Sequence, residues 1–86
     1  DTIVCDSIEQ CRLEAGDFSQ ALEEGVTDWR LMHELSDVIV GRETGRARPE
    51  DVTLFKSVGL AIEDVAMAAE IVKRAREAGL GRTLPF

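Results

Sequence analysis

The residues whose types and spacing could do chemistry are Ser57-Val58-Gly59, which separate an apolar run from an alanine-rich run. In open α/β sheets, ligands bind outside the carboxyl ends of the strands, and such an end is predicted here. A helix start leaves N–H groups free, a serine adds a donor and an acceptor, and a glycine lets a ligand approach the backbone. The competing interpretation is structural: Ser57 caps the helix and Gly59 allows close packing on the sheet. The local sequence alone favours this structural interpretation.

Other polar residues give weaker indications of a site. Asp6 follows a predicted strand and could face the same crevice, but a role as helix cap is favoured. The GRETGR segment (41–46) lacks the GxGxxG spacing of a dinucleotide loop and is typical of a surface turn with solvated arginines.

His33 falls in the middle of a predicted helix, without the pattern of a serine or cysteine nucleophile. No cluster of metal ligands is visible. Cys5 and Cys11 form no CxxC motif, and reduced thiols are favoured over a disulfide.

Strands and helices that alternate along the chain are predicted to position these residues. The sequence predicts two strands, at 2–6 and 52–58, and four helices. The first helix follows Ser7, which forms a capping-box pattern with Gln10; the others are expected at 19–24, from 27 or 28 to 41, and at 59–78. Strands that are separated by helices usually lie parallel. Two parallel strands cannot bury both faces of a sheet, and the apolar residues 65–69 need cover, so we expect further sheet and further protein outside these residues.

Composition limits the function classes. The chain has 86 residues, with 44% hydrophobic and 31% charged residues, which is ordinary for a globular domain. Its net charge of −7 argues against nucleic acid or an anionic membrane as a partner. It shows neither a membrane-spanning run nor a signal peptide, so we expect a cytoplasmic protein. Because the chain opens without methionine and almost inside a strand, we expect it to be a fragment of a longer protein.

A longer pattern covers most of the chain. The segment GRETGRARPEDVTLFKSVGLAIEDVAMAAEIVKRAREAGLG (41–81) resembles the C-terminal signature of the ornithine cyclodeaminase/mu-crystallin family. The shared elements are two Gly-Arg pairs, the motif TLF-x-S-x-G-x-A-I-x-D, and an alanine-rich helix that ends A-R-E-x-G-L-G. Upstream, IVCDSIEQCRLEAGDFSQAL (3–22) is similar to the last half of the family's dinucleotide domain, in which a strand ends in Asp-Ser.

This resemblance implies an α/β fold: a fragment of a Rossmann-type parallel sheet, with two strands and a helical crossover, then a long helix returning to a dimerisation and substrate domain. Residues 1–58 would close the dinucleotide-binding domain, and residues 59–86 would form the returning helix and tail. It also implies a homodimer that binds NAD or NADP and a small amino acid, imine or keto acid. Ser57 would line the nicotinamide pocket, Val58 would lie near the substrate, and Gly59 would support them through the backbone.

The family's chemistry is hydride transfer between nicotinamide and an amino or imino carbon, in cyclodeaminases (lyases), alanine dehydrogenases and ketimine reductases. Its glycine-rich loop, its substrate-binding arginine and lysine and its catalytic aspartate have no match here, and Asp6 does not match that aspartate. We therefore expect the 86 residues to be inactive alone. The alternative is a protein of the mu-crystallin type, which binds NADPH and a small ligand with little turnover. A free-standing helical interaction domain is the third possibility, if the chain is complete.

Overall fold

A computed structural model describes all 86 residues of the chain as an α/β structure. Three parallel strands form one sheet, in which the first strand in sequence lies between the second and the third. The elements are, in chain order, β1 (Thr2–Cys5), α1 (Ile8–Glu14), α2 (Ser19–Glu23), β2 (Met32–Glu34), α3 (Leu35–Ile39), β3 (Thr53–Lys56) and α4 (Ala61–Glu77). One-turn 3-10 helices precede α2 (Gly16–Phe18) and β2 (Trp29–Leu31). The prediction that helices separate parallel strands is confirmed.

The prediction of only two strands is wrong. We expected one helix from residue 27 or 28 to 41, but β2 and the shorter α3 occupy this segment. Trp29 and Met32 do show the i,i+3 spacing of a helix, yet a 3-10 turn produces the same spacing. The backbone then extends because Met32, His33 and Glu34 pair with the central strand in register. His33 therefore lies on a strand and not in mid-helix.

The core lies between one face of the sheet and the first two helices. In strands, alternate residues share a face, so Ile3 and Cys5 point to the same side as Met32, which pairs with Ile3. Five residues form the buried core cluster: Cys5, Cys11, Ala15, Phe18 and Met32. The rings of Phe18 and Trp29 meet edge to face, with centroids 6.0 Å apart, a favourable aromatic geometry. This packing holds β1 in place, and with it Asp6, the residue that follows the strand.

The first helix begins as predicted and α4 begins later than predicted. Ser7 is the N-cap of α1, and its Oγ accepts the N–H of Gln10 at 3.2 Å. The Gln10 side chain does not reach back to Ser7; its amide donates to Glu14 at 3.4 Å. The last helix starts at Ala61 and not at Gly59, and its N-cap, Leu60, offers no side-chain acceptor. The interpretation of Ser57 as the cap of this helix is therefore wrong.

Large apolar side chains remain exposed on β3 and α4. Leu54 and Phe55 are about half exposed, and no residue of α4 is buried. The chain is accordingly elongated, with extents of 57 × 30 × 20 Å. No helix has the length and apolar character needed to cross a membrane. Cover for residues 65–69 by protein outside this chain stays a prediction.

Candidate functional site

The candidate site forms where β1 and β3 end side by side. These strands pair with Cys5 opposite Lys56, and the ladder continues one step further because the N–H of Asp6 donates to the carbonyl of Lys56 at 3.1 Å. The next residues, Asp6 and Ser57, are therefore brought together at the carboxyl edge of the sheet. We call residues 57–60, which connect β3 to α4, the joint.

The carboxylate of Asp6 binds the joint. Its Oδ2 accepts the hydroxyl of Ser57 at 2.7 Å and the N–H groups of Val58 and Gly59 at 3.0 and 3.1 Å. Its Oδ1 accepts the N–H of Ser7 at 2.9 Å. Only 6% of Asp6 is exposed. One buried carboxylate thus connects two segments that lie about fifty residues apart in sequence.

These contacts keep Asp6 ionised. Burial raises the pKa of the carboxyl group, but the hydrogen bonds from Ser57, Val58, Gly59 and Ser7 outweigh it, and the pKa lies below its ordinary value. A carboxylate that has a depressed pKa, and whose two oxygens already accept hydrogen bonds from the protein, is a poor proton acceptor for a substrate. The structure therefore gives Asp6 a role in binding the joint, and the favoured prediction that it caps α1 is wrong, since Ser7 is the cap.

Ser57 is exposed at this edge. Its single proton is donated to Asp6, and its Oγ accepts the N–H of Gly59 at 3.2 Å. A hydroxyl oxygen has two lone pairs, so one remains for a ligand. Its proton is held by the Asp6 carboxylate, which is a poor proton acceptor, and no other base is hydrogen-bonded to it, so Ser57 is suited to hydrogen bonding and not to nucleophilic attack.

Val58 and Gly59 complete the joint. Val58 is partly buried and packs against the core cluster, while its N–H is engaged by Asp6. Gly59 has a φ of 89°, a left-handed conformation that residues with a Cβ rarely adopt. A Cβ at this position would meet no atom within 4 Å, so the glycine is required by the backbone conformation and not by crowding.

Two arginines of the 41–51 connector hold this loop together. The Arg46 guanidinium donates to the carbonyl groups of Pro49 and Asp51 and, at 2.8 Å, to the hydroxyl of Thr53. Arg48 binds the buried carboxylate of Asp51 at 3.0 Å. The predicted surface turn is confirmed, but these two guanidinium groups have partners within the loop. They give no support to a phosphate site.

The remaining candidates carry no assembled chemistry. His33 lies 3.2 Å from the carboxylate of Glu43, and no serine or cysteine side chain joins that pair. The structure holds no group of three residues that could bind a metal ion. Cys5 and Cys11 are free and fully buried. Burial is the main cause that raises the pKa of Cys5 to about 12 and the pKa of Cys11 above its ordinary value.

Comparison with known proteins identifies the family to which the chain belongs. The model of the ornithine cyclodeaminase/mu-crystallin family matches residues 1–79. The chain belongs to this family. The match includes β1, β3 and the joint, so the site described above lies inside the family's shared sequence and not in an appended segment.

Three relatives within the family indicate the range of its members. They are a delta(1)-pyrroline-2-carboxylate reductase of Bacillus cereus (38% identical), an alanine dehydrogenase of Archaeoglobus fulgidus (35%), and an N-((2S)-2-amino-2-carboxyethyl)-L-glutamate dehydrogenase of Staphylococcus aureus (32%). Each alignment covers 98% of this chain but only 26%, 26% and 25% of the respective relative. The chain therefore spans about a quarter of the length of these family members.

Sequence reasoning missed the contact that one carboxylate makes at the carboxyl edge, and it missed a second carboxylate altogether. Asp6 was considered for this crevice, but its contact with the joint was not predicted. Glu34, at the end of β2, accepts the N–H of Ile8 at 2.8 Å and so binds the start of α1. The available signal for both was an acidic residue at the end of a strand, but β2 itself was not recognised.

Proposed function

We propose that this chain is the C-terminal segment of an NAD(P)-dependent oxidoreductase of the ornithine cyclodeaminase/mu-crystallin family. In this proposal residues 1–58 complete the dinucleotide-binding domain, and residues 59–86 return to a domain that binds substrate and forms a homodimer. The carrying observation is the exposed Ser57, held at the carboxyl edge of a parallel sheet by Asp6. Bound nicotinamide would supply the hydride donor or acceptor.

The substrate class follows from the names of the relatives. Alanine, pyrroline-2-carboxylate and the carboxyethyl-glutamate compound each have a carboxylate next to a carbon that bears nitrogen. We therefore propose an α-amino or α-imino carboxylate as the substrate. Protein groups outside these 86 residues would bind its carboxylate and move its protons, because no base lies free at the joint.

Within this site, Ser57 would bind the carboxamide end of the nicotinamide. The residues present fit that group, since the free lone pair of Ser57 is an acceptor and the carboxamide NH₂ is a donor. Val58 would lie beside the substrate, with its backbone fixed by Asp6. Gly59 would keep the chain turning away from the ligand toward α4.

The test uses the full-length protein and follows NAD(P)H absorbance with delta(1)-pyrroline-2-carboxylate and with pyruvate plus ammonia. Ser57→Ala should lower kcat/KM by roughly 3- to 100-fold, which corresponds to the loss of one hydrogen bond or of one with an unsatisfied partner. Ser36→Ala, the same change at an exposed serine on α3, should have no effect. Unchanged kinetics in Ser57→Ala would refute the site. Cofactor binding without turnover on these substrates would instead favour a binding protein of the mu-crystallin type.

A further inference from the structure

The hydroxyl of Ser57 has a fixed polarity. It has one proton, and the nearest acceptor is Oδ2 of Asp6 at 2.7 Å. An ionised carboxylate can only accept, so the proton must point into the protein. The Gly59 N–H, which lies 3.2 Å from this oxygen and also donates to Oδ2 of Asp6, opposes rotation of the hydroxyl toward itself.

Asp6 is itself held in place and withdrawn from any ligand. Three donors from the joint converge on Oδ2, and the N–H of Ser7 occupies Oδ1. With 6% exposure, the carboxylate reaches a ligand only through Ser57. The side chain therefore cannot turn away to release the serine proton without leaving the N–H groups of Ser7 and Val58 unpaired.

We infer that Asp6 is a positioning residue that makes Ser57 an obligatory hydrogen-bond acceptor, so that the site selects ligand groups that donate. This inference rests on the proposed function, in which the ligand group is the nicotinamide carboxamide. A serine without such a partner could donate to the carboxamide oxygen or accept from its NH₂ equally well. Asp6 removes the first option and so sets the orientation in which the ring is presented.

Two cofactor analogues measure this polarity in the full-length wild-type protein. In 3-acetylpyridine adenine dinucleotide a methyl group replaces the carboxamide NH₂, and in thionicotinamide adenine dinucleotide sulfur replaces the oxygen while the NH₂ stays. We define the donor preference as the Kd of the acetyl analogue divided by that of the parent cofactor. It should be about 2 to 10, the value of one hydrogen bond, while the thio analogue should bind within about 2-fold of the parent. The reverse order would overturn the inference.

Variants of the same protein then assign the effect to residues. Ser57→Ala and Asp6→Ala should each bring the donor preference to about 1, since the first removes the acceptor and the second frees the hydroxyl. Asp6→Asn should keep a preference above 1 because its amide oxygen can still accept the serine proton. Asp17→Ala, a matched change at an exposed carboxylate that binds Lys56 at 2.8 Å, should keep the wild-type value. If Asp6→Ala loses affinity equally for all three cofactors and keeps the donor preference, the role of Asp6 is purely structural and the inference about it is overturned.

The outcomes separate the two proposals. An unchanged donor preference in Ser57→Ala means that Ser57 does not bind the carboxamide, and the proposed role of the serine fails. A preference lost in Ser57→Ala but kept in Asp6→Ala overturns only the inference about Asp6. If Asp6→Ala does not fold, the wild-type comparison of the two analogues still decides the polarity, and weaker binding of the thio analogue than of the acetyl analogue refutes it.

Discussion

Replacement of Asp6 by asparagine should weaken the joint by a predictable amount. The amide keeps one oxygen and exchanges the other for a donor. Its oxygen should face Ser57, Val58 and Gly59, because three donors meet there and only the Ser7 N–H meets the other atom. At least one hydrogen bond to a charged group is then lost. Such a bond contributes about 1.5–3 kcal/mol, so local opening should become about 10- to 150-fold more frequent.

The effect should depend on pH with a definite sign. Because the pKa of Asp6 in the folded protein lies below its unfolded value of about 3.9, the carboxylate contributes its stability above that pH. The contribution is lost as the pH falls through the folded-state pKa. A protonated carboxyl, like an asparagine amide, has one acceptor and one donor. The difference between wild type and Asp6→Asn should therefore be constant from pH 7 to about 4 and shrink below that.

Amide hydrogen exchange in the full-length protein measures how often the structure opens locally around Asp6. Peptides that cover Ser7 and residues 58–59 should lose protection in Asp6→Asn at neutral pH, after correction for the intrinsic exchange rate. Asp17→Asn is the matched control, because this exposed carboxylate binds only Lys56 and does not contact the joint. Wild-type protection of the joint in Asp6→Asn at pH 7, or a difference that stays the same through acid pH, would refute the reasoning.

Three further perturbations test the surrounding structure of the full-length protein. Gly59→Ala should cost about 1–2 kcal/mol from backbone strain at a φ of 89°, seen as a lower Tm, and an unchanged Tm would mean that the joint has another conformation. Cys5 and Cys11 should react with iodoacetamide at pH 7.5 only after denaturation, because burial raises both pKa values; rapid labelling of the folded protein would contradict their placement. If protein outside this chain covers α4, Ala66→Glu or Ala69→Glu should destabilise the protein by several kcal/mol, seen as a lower Tm, and should weaken the proposed homodimer. Wild-type melting and mass would show that this helix faces water.

Local signals predicted the elements that depend on local chemistry. The Ser7 cap, β1, β3 and α4 follow from a hydroxyl before a helix, short apolar runs with β-branched residues, and an alanine-rich run. The strand β2 did not follow, because its three residues extend only when they pair with β1, and the preceding 3-10 turn imitates helical spacing. Short strands of this kind are specified by the neighbour and not by their own sequence.

The partner of Ser57 was unpredictable for a related reason. It depends on the register of β1 against β3, which sets Cys5 opposite Lys56 and thereby places Asp6 beside the joint. A shift by one residue would turn every side chain of the strand to the other face and remove the contact. Nothing between residues 6 and 57 encodes that register locally, since it results from the packing of the whole sheet.

The contact also explains why the chain passes from strand to helix with so short a joint. A tight turn leaves backbone N–H groups without a partner, and Val58 and Gly59 lie before Leu60, the N-cap of α4, where the helix offers them no acceptor. The neighbouring strand supplies the acceptor instead, through one buried carboxylate that takes the N–H groups of Val58 and Gly59. The same carboxylate takes the proton of Ser57 and leaves a lone pair exposed at the edge where ligands of parallel sheets bind. A structural role and a binding role are therefore not alternatives at this joint, because the contacts that stabilise the turn also determine what the serine can offer to a ligand.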